Sequence, residues 1–320
     1  MDFPRLTAGW CWSDRVRAGI HRRRDVLNRD TFEPYCLEKI GHISGVDHNE
    51  SISVGPRGEA YTTGFVTCRV FRLDLDTNTA EAFSTTHPRR VLGQVVDADG
   101  SLYCAQPDAP GSQVVRIAPD GTQSVYSRGP AGRGFMSANT PAFDSSGNMY
   151  VSDTGSWSKQ IDGQICRIRP GGGAAELWTQ HPIDTPNGIA IDPEEKFIYY
   201  VETWGNSIAR IAINKDGSCG EVERVLHMPR QVPDGIAFDE QGRLWIAVHR
   251  PDRICVFDLS TRRLEVFADD WQGEALRGPC HVAFSGPNRD ILLASSLDKA
   301  TVHRFDRPGT RGLKLNHPKL

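Results

Sequence analysis

The chain has 320 residues, of which 38% are apolar and 24% are charged, and its net charge at pH 7 is -3. This balance argues against the basic surface of a nucleic-acid-binding protein, and no stretch reaches the roughly 18 consecutive apolar residues of a membrane-spanning helix. The chain start lacks the apolar core of a secretion signal, and the eight cysteines are scattered without a C-x-x-C pair. These features predict a cytoplasmic protein with reduced thiols and neither a nucleic-acid nor a membrane partner.

One turn phrase, built mainly on Asp, Ser, Pro and Gly, recurs six times along the chain. Its copies begin 42, 47, 48, 47 and 46 residues apart, at Gly55, Asp97, Asp144, Asp192, Asp239 and Ser285. Each copy is followed by a short run that ends in an aromatic or apolar residue, as at 101–103. A second run follows and mostly reads apolar-x-Arg-apolar, as at 114–117. Both runs have the composition of β-strands.

A period in the forties with about four short strands per unit is typical of a β-propeller blade. No unit of that size buries its own apolar face, so six of them must share one core. We therefore predict an all-β fold, a six-bladed β-propeller with four-stranded antiparallel blades around a central channel. The single domain spans 1–320, with an N-terminal extension at 1–35, blades from about 36 to 306 and a C-terminal tail at 307–320. The segment 36–43 is expected to close the ring by completing the last blade.

One position in each repeat lies eight residues before the last turn residue, where the innermost strand begins. The six residues in this column are Glu50, Leu92, Asn139, Asn187, Asp234 and Cys280. Four of them are oxygen donors, and the symmetry of a propeller makes equivalent positions converge on the axis. Two carboxylates and two amides in one place are unfavourable without a partner. The column therefore predicts a site for a divalent cation.

The chemistry of the donors indicates which ion this site prefers. An all-oxygen set of charge -2 favours Ca²⁺ over Zn²⁺, with Zn²⁺, Mn²⁺ and Mg²⁺ as the other candidates. The simpler interpretation is that Asn and Asp before a strand are turn formers. Four such residues in one register favour the metal site.

Two phrases in adjacent repeats, Pro-Asn-Gly at 186–188 and Pro-Asp-Gly at 233–235, together with Glu50 and Asn139, resemble the gluconolactonase and regucalcin (senescence marker protein) family of six-bladed propellers. The resemblance covers about residues 37 to 306. Diisopropylfluorophosphatase and the paraoxonases are more distantly similar. The family implies a calcium-dependent hydrolase of a lactone or related ester, which is a carboxylic ester hydrolase with a small-molecule substrate.

The resemblance also implies roles for the column residues. Glu50, Asn187 and Asp234 become metal ligands, and Asn139 becomes a fourth ligand or a substrate contact. Asp234 becomes the catalytic residue, as a general base towards water or as a nucleophile. The cation would polarise the carbonyl group of the substrate.

The sequence departs from the sugar-lactonase pattern at Ser137, where those relatives place an arginine. Phe135, Met136 and Trp204 suggest a less polar ligand, although an aromatic residue in a loop between strands, such as Trp204, packs as often as it binds. His281 follows the sixth column residue and is a structural histidine, a substrate contact or base, or a ligand of a second metal. The candidate substrate contacts are Asn139, His281, Trp204 and Met136.

Two further residues and two other functions complete the sequence-based expectations. His249 is interpreted as a surface or packing residue, and Cys280 as part of the core, because no partner for a nucleophilic cysteine is evident at a readable spacing. The alternative function is a non-catalytic ligand-binding propeller with a structural metal. A condensing enzyme similar to strictosidine synthase fits less well, because those relatives lack the full metal set.

Overall fold

Six four-stranded antiparallel sheets follow one another along the chain, as the repeat predicts. The computed structural model describes residues 34–86, 89–108, 111–158 and 160–320. The predicted N-terminal extension lies, except for its last two residues, outside this part of the chain. A single-turn 3₁₀ helix at Leu37–Lys39 precedes the first strand. Within the described residues no helix is long and apolar enough to cross a membrane.

The strands fall into four concentric sets. The innermost strands of blades one to six are β2 (Ile52–Val54), β6 (Gln94–Val96), β10 (Ala138–Phe143), β14 (Pro186–Ile191), β18 (Val232–Phe238) and β22 (Pro279–Ser285). The second strands are β3 (Ala60–Gly64), β7 (Leu102–Gln106), β11 (Met149–Asp153), β15 (Phe197–Glu202), β19 (Leu244–Arg250) and β23 (Ile291–Ser296). The third strands are β4 (Arg69–Asp74), β8 (Gln113–Ile117), β12 (Gln164–Ile168), β16 (Ser207–Ile213), β20 (Arg253–Asp258) and β24 (Val302–Asp306). The outermost strands are β5 (Thr79–Thr85), β9 (Gln123–Ser127), β13 (Glu176–Leu177), β17 (Cys219–His227), β21 (Arg263–Asp269) and, for blade six, β1 (Gly41–Ile43).

The ring closes as the sequence predicts. Strand β1 pairs antiparallel with β24, with Gly41 opposite Arg304 and Ile43 opposite Val302. The last blade is therefore built from both ends of the propeller. Strand β1 covers the edge of β24 and is the outermost strand of blade six, which thereby has four strands like the other blades.

The aspartate of the turn phrase organises the end of the innermost strand in blades two to five. In blade two, Asp97 Oδ1 accepts hydrogen bonds from the backbone N–H groups of Asp99 and Ser101, and its Oδ2 accepts one from Tyr103 Oη at 3.0 Å. In blade five, Asp239 accepts the Trp245 Nε1–H in the same way at 2.9 Å. One carboxylate thus fixes the turn and the aromatic residue of the second strand, which explains why the phrase ends in an aromatic side chain.

The aromatic residues of the second strands also join neighbouring blades. Tyr103 packs edge-on against Phe143 at a centroid distance of 5.3 Å, Tyr199 against Phe238 at 5.2 Å, and Trp245 against Phe284 at 5.2 Å. In each pair the phenylalanine belongs to the innermost strand of the next blade. Burial of such pairs adds about 1 kcal/mol beyond the area they remove from water, so the repeated phrase encodes the contacts between blades as well as the blades.

The C-terminal tail crosses the end of the channel where the innermost strands finish. The Leu313 N–H donates to the Phe238 carbonyl oxygen at 3.0 Å in blade five, and Asn316 Nδ2 donates to Glu195 Oε1 at 2.7 Å in blade four. Further along, Pro318 accepts a backbone hydrogen bond from blade two, and Leu320 packs on the core between blades two and three. The tail predicted at 307–320 is therefore an ordered segment that covers this end of the channel.

Candidate metal centre and active site

The channel mouth is the end of the channel where the innermost strands begin, and β-bulges shape it in blades three to six. The pairing register of the innermost strand shifts between residues 138 and 141, 186 and 189, 233 and 236, and 279 and 282. The column residues Asn139, Asn187, Asp234 and Cys280 all lie inside these shifts. A bulge leaves a residue unpaired and redirects its side chain, so it allows these residues to leave the regular alternation of a buried strand.

Glycines after two of the column residues allow the innermost strands to approach one another. A Cβ atom on Gly188 would lie 2.5 Å from the Asp234 carbonyl oxygen. A Cβ atom on Gly235 would lie 2.5 Å from His281 Cδ2 and 2.7 Å from the Cys280 carbonyl oxygen. The glycines of the Pro-Asn-Gly and Pro-Asp-Gly phrases are thus required by close backbone packing around the axis.

Two buried carboxyl groups face each other at the channel mouth. Glu50 and Asp234 are only 8% and 9% exposed. Burial raises the pKa of Glu50 to about 7, and a hydrogen bond from Cys280 opposes this shift. Burial and the charge of Glu50 raise the pKa of Asp234, whereas hydrogen bonds from Cys280 and Asn187 lower it. Glu50 Oε2 is buried, and the described residues give it no hydrogen-bond partner.

A thiol and an imidazole complete this group of side chains. Cys280 Sγ lies 3.4 Å from His249 Nδ1, and ligand atoms of Asp234, His249 and Cys280 all lie within 4.8 Å of one another. Burial, followed by the charges of Glu50 and Asp234, raises the pKa of the Cys280 thiol. Burial, followed by the charge of Arg250, lowers the pKa of His249. We call Glu50, Asn187, Asp234, His249 and Cys280 the axial cluster.

The two asparagines of the column are held in different ways. The Asn187 side chain hydrogen-bonds to Asp234 and is therefore part of the axial cluster. The Asn139 side chain is buried, with Nδ2 donating to Thr154 Oγ1 at 3.0 Å and Oδ1 accepting from Thr140 Oγ1 at 3.2 Å. Neighbouring hydroxyl groups thus fix the orientation of Asn139, and its Oδ1 keeps a second lone pair.

The axial cluster fits a divalent cation. Two buried carboxyl groups that repel each other, one of them with an unpartnered oxygen, are unfavourable without a nearby positive charge. Glu50 and Asp234 offer carboxylate oxygens, and His249 and Cys280 offer nitrogen and sulfur. These are all established donors to divalent metals in proteins.

A carboxylate at the end of β11 organises the rim of the mouth in blade three. Asp153 accepts the backbone N–H groups of Met136 and Ser137, the latter at 2.6 Å, and the Arg133 Nη2–H at 2.6 Å. Ser137 Oγ accepts the Trp157 Nε1–H at 2.8 Å. The position that carries an arginine in sugar lactonases is therefore occupied here by a serine engaged with an indole.

Large apolar side chains are exposed in the loops at this end of the propeller. Trp204 lies on the turn between β15 and β16 and is 54% exposed, and Met136 is half-buried before β10. The other exposed apolar residues in loops on this side are Val66, Trp157, Ile161 and Trp271. We call these loop residues the apolar rim.

His281 lies below the axial cluster, inside the channel. It lines a cavity of about 170 Å³ whose walls come from the innermost strands of all six blades and whose floor is residues 313–316 of the tail. Burial lowers the pKa of His281 to about 4, so its imidazole is neutral at pH 7, and its Nδ1 makes no hydrogen bond to the described residues. Ser53 and Gln94 line the same cavity.

The sequence did not predict that His249 and Cys280 lie beside Asp234 at the channel mouth. Both belong to the axial cluster, not to the surface or to an inert core. The signal available in the sequence was the column itself, because Cys280 is its sixth member. His249 lies in the preceding blade, 31 residues earlier, at the end of the second strand that packs beside the innermost strand of blade six.

Comparisons with known proteins agree with the resemblance seen in the sequence. The family model described as SMP-30/Gluconolactonase/LRE-like region matches residues 67–298. A curated relative named lactonase drp35, from Staphylococcus epidermidis, is 29% identical over 120 residues. That match spans 36% of this chain and 37% of the relative, so the chain covers well under half of the relative's length.

Solved structures match over most of the chain. A gluconolactonase from Xanthomonas campestris is 18% identical with a TM-score of 0.70, covering 83% of this chain and 89% of that one. A calcium-binding protein, regucalcin, from Agrobacterium tumefaciens is 16% identical with a TM-score of 0.72, covering 88% and 97%. At these identities the two structures establish the shared fold.

Proposed function

The chain belongs to the SMP-30/gluconolactonase/LRE-like family, and from this premise we propose that it is a divalent-metal-dependent hydrolase of a lactone or related ester. The observation that carries the proposal is the pair of buried carboxyl groups, Glu50 and Asp234, with raised pKa values at the mouth of a channel closed at its other end. The proposed ligands of the ion are Glu50, Asn139, Asn187 and Asp234, whose oxygen atoms alone would favour Ca²⁺. The names of the relatives, which are lactonases, support the substrate class.

The buried charges explain why such a site would be reactive. A cation bound by the axial cluster would polarise the carbonyl group of the substrate and stabilise the negative charge that develops on its oxygen. Asp234 is the proposed general base, and it would take a proton from the water that attacks the carbonyl carbon. Burial and Glu50 raise the pKa of Asp234 in the metal-free protein, and a bound cation would oppose this shift and keep the carboxylate ionised, as a general base must be. The proton then passes to the leaving alkoxide as the ester bond breaks.

Asp234 could instead attack the carbonyl carbon directly, and isotope labelling separates the two routes. In a single turnover in oxygen-18-labelled water, a general base leads to label in the carboxylate of the product. A nucleophilic Asp234 leads to label in its own side chain, which mass spectrometry of the peptide that contains it would detect. We favour the general base, because its carboxylate is held by hydrogen bonds from Asn187 and Cys280.

The rim of the mouth supports an apolar substrate. Ser137 replaces the arginine of sugar lactonases and is already bonded to Trp157, so the position offers no free cation to sugar hydroxyl groups. The apolar rim presents Trp204 and other large side chains to solvent, as ligand-binding surfaces commonly do. We therefore propose an aliphatic or aromatic lactone, or an aryl ester, with Met136 and Trp204 as apolar contacts. Asn139 would be a polar contact as well as a ligand.

His281 is proposed as a support of the site. It lies against Gly235 inside the channel, and its backbone N–H donates to Ser295 Oγ at 2.8 Å. Its low pKa keeps it neutral, so a contact to substrate through the imidazole would be a hydrogen bond without charge. We also propose a cytoplasmic location, which accords with the free thiols of Cys104, Cys166 and Cys255.

The proposal is tested with the metal-free protein and with the same protein reloaded with Ca²⁺, Zn²⁺ or Mn²⁺. Each form is incubated with a panel of aliphatic, aromatic and sugar lactones and with aryl esters, and hydrolysis is followed by proton release. We expect turnover only with metal, a preference for apolar lactones, and a loss of about 10²- to 10⁴-fold in Asp234→Asn. The matched control is Asp216→Asn, on an exposed turn of blade four far from the axis, which should keep full activity.

Three results would contradict the proposal. Turnover without metal, or full activity in the Asp234→Asn protein, would exclude the mechanism. If the protein bound metal and small ligands but hydrolysed none of the panel, the propeller would be a binding module with a structural metal.

A further inference from the structure

The axial cluster contains two donors that the oxygen column lacks. Cys280 is the sixth column residue, and the bulge in β22 directs it towards the mouth. His249 comes from the end of β19 in the neighbouring blade and lies with its Nδ1 3.4 Å from Cys280 Sγ. Neither residue is among the four metal ligands proposed above.

We propose that Cys280 and His249 are ligands of the cation, so that this site holds Zn²⁺ in preference to Ca²⁺. The inference rests on the divalent-cation site of the proposed function and assigns its ion and two of its donors. Asp234 supplies the third ligand, and Glu50 or Asn187 supplies a fourth.

The distances agree with tetrahedral coordination. With a Zn–S distance of about 2.3 Å and a Zn–N distance of about 2.0 to 2.1 Å, sulfur and nitrogen on one tetrahedral ion lie about 3.5 Å apart. The observed separation of Cys280 Sγ and His249 Nδ1 is 3.4 Å. The remaining pairs, which involve Asp234, lie within 4.8 Å, so small rotations of side chains would place all three donors around one ion.

The chemistry of the donors distinguishes the two ions. Ca²⁺ takes six to eight oxygen ligands and has little affinity for sulfur or imidazole, whereas Zn²⁺ combines sulfur, nitrogen and oxygen in four-coordinate sites. A buried thiol between two carboxylates would be an obstacle in a calcium site, because its sulfur occupies space without serving as a ligand. A zinc site would hold Cys280 as a thiolate, with its proton lost to solvent, and His249 as a neutral imidazole.

Cobalt spectroscopy tests the assignment without reference to activity. Co²⁺ replaces Zn²⁺ in the metal-free full-length protein, and the absorption spectrum is recorded after unbound metal is removed. We expect a thiolate-to-Co²⁺ charge-transfer band in the near ultraviolet and the strong visible bands of four-coordinate Co²⁺. X-ray absorption of the Zn²⁺-loaded protein should show a Zn–S distance of about 2.3 Å.

Substitutions locate the sulfur donor. Cys280→Ser should abolish the charge-transfer band. It should also lower the affinity for Zn²⁺ by at least roughly tenfold, because even the loss of a residue that only hydrogen-bonds to a metal ligand costs that much. The affinity for Ca²⁺ should hardly change. Cys255→Ser, which alters a thiol buried in β20, is the matched control and should keep the band. His249→Gln should keep the band but weaken Zn²⁺ binding.

Several outcomes would overturn the assignment. A Co²⁺-loaded wild-type protein without the charge-transfer band, a zinc spectrum without a sulfur neighbour, or tighter binding of Ca²⁺ than of Zn²⁺ would each do so, whether or not the variants fold. Lactone hydrolysis supported by Ca²⁺ without the band would leave the proposed function standing and remove this inference. A Co²⁺-loaded protein that shows the charge-transfer band but hydrolyses no substrate would support the zinc assignment and contradict the proposed function.

Discussion

Glu50→Gln should stabilise the metal-free protein at alkaline pH, although it removes a proposed metal ligand. Burial raises the pKa of Glu50 from its ordinary 4.5 to about 7, so the ionised side chain costs the folded state about 3 kcal/mol, at about 1.4 kcal/mol for each tenfold change in proton affinity. The folded protein binds the proton more tightly than the unfolded chain. The stability that comes from the protonated group is therefore complete below pH 4.5, declines as the pH rises, and is lost above about pH 7. Glutamine cannot ionise and escapes this loss.

Urea unfolding in the presence of a chelator measures the difference. At about pH 8.5 the variant should be more stable than the wild type by about 3 kcal/mol, equivalent to roughly 5 °C in Tm, and near pH 4.5 the two should be alike. Saturating metal should reverse the order, because the wild type gains binding energy that the variant lacks. Glu81→Gln, on the exposed face of β5, should change none of these values. A metal-free variant that is less stable than the wild type at about pH 8.5 would refute the reasoning.

Three further predictions concern the packing of the propeller. Gly235→Ala should lower the free energy of unfolding, measured by denaturant titration, by about 1–3 kcal/mol or more. The reason is that the new Cβ atom would lie 2.5 Å from His281 Cδ2. Gly41→Ala is the control, because its Cβ atom has contacts of 3.4 Å or more, and its stability should be close to that of the wild type. Burial lowers the pKa of His303 to about 3, so the unfolded chain binds the proton first, and His303 alone should lower the free energy of unfolding by about 2 kcal/mol between about pH 7.5 and 5. The stability of His303→Gln relative to the wild type should therefore rise by about this amount as the pH falls over that range, and a constant difference between the two proteins would contradict this. Deletion of 313–320 removes the floor of the channel cavity and should lower the Tm by several degrees, as calorimetry would show; an unchanged Tm would mean that the tail is not part of the core.

The repeat made the fold readable from the sequence. A strand that packs between two neighbouring blades must be apolar on both faces, and the turn that follows each innermost strand needs a residue that accepts backbone N–H groups. Asp97 and Asp239 do this in the structure, so the same phrase recurs wherever the same contacts recur. Glu195 replaces the usual glycine of the turn in blade four, and it adopts the same left-handed backbone conformation, with a φ of +53°. The ring closure by residues 41–43 followed from position alone.

The residues of the axial cluster could be predicted only in part from the sequence. The column located Glu50, Asn187 and Asp234, because equal positions in repeats lie at equal depth. It did not reveal that His249 and Cys280 meet, since this contact joins the second strand of one blade to the innermost strand of the next and depends on where a bulge directs a side chain. A repeat describes what blades share, whereas this contact is specific to blades five and six. The tail itself was predicted at 307–320, but its packing across the end of the channel was not, because residues 313–320 have no counterpart in the repeat.

The charged and metal-binding side chains of the site are distributed unevenly around the propeller axis. Blades five and six supply Asp234, His249 and Cys280, and blade one supplies Glu50, whereas blade two contributes the apolar Leu92 at the same position. Blades two and three present Leu92 and the uncharged Asn139 at this position, and the loops of blade three carry Met136 and Trp157. Because residues 313–316 of the tail line the far end of the channel, the proposed substrate would approach the axial cluster from the mouth. If its carbonyl group meets Asp234, its hydrocarbon part would lie towards blades two and three, where Met136 and Trp157 offer apolar contacts and Ser137 is bonded to Trp157.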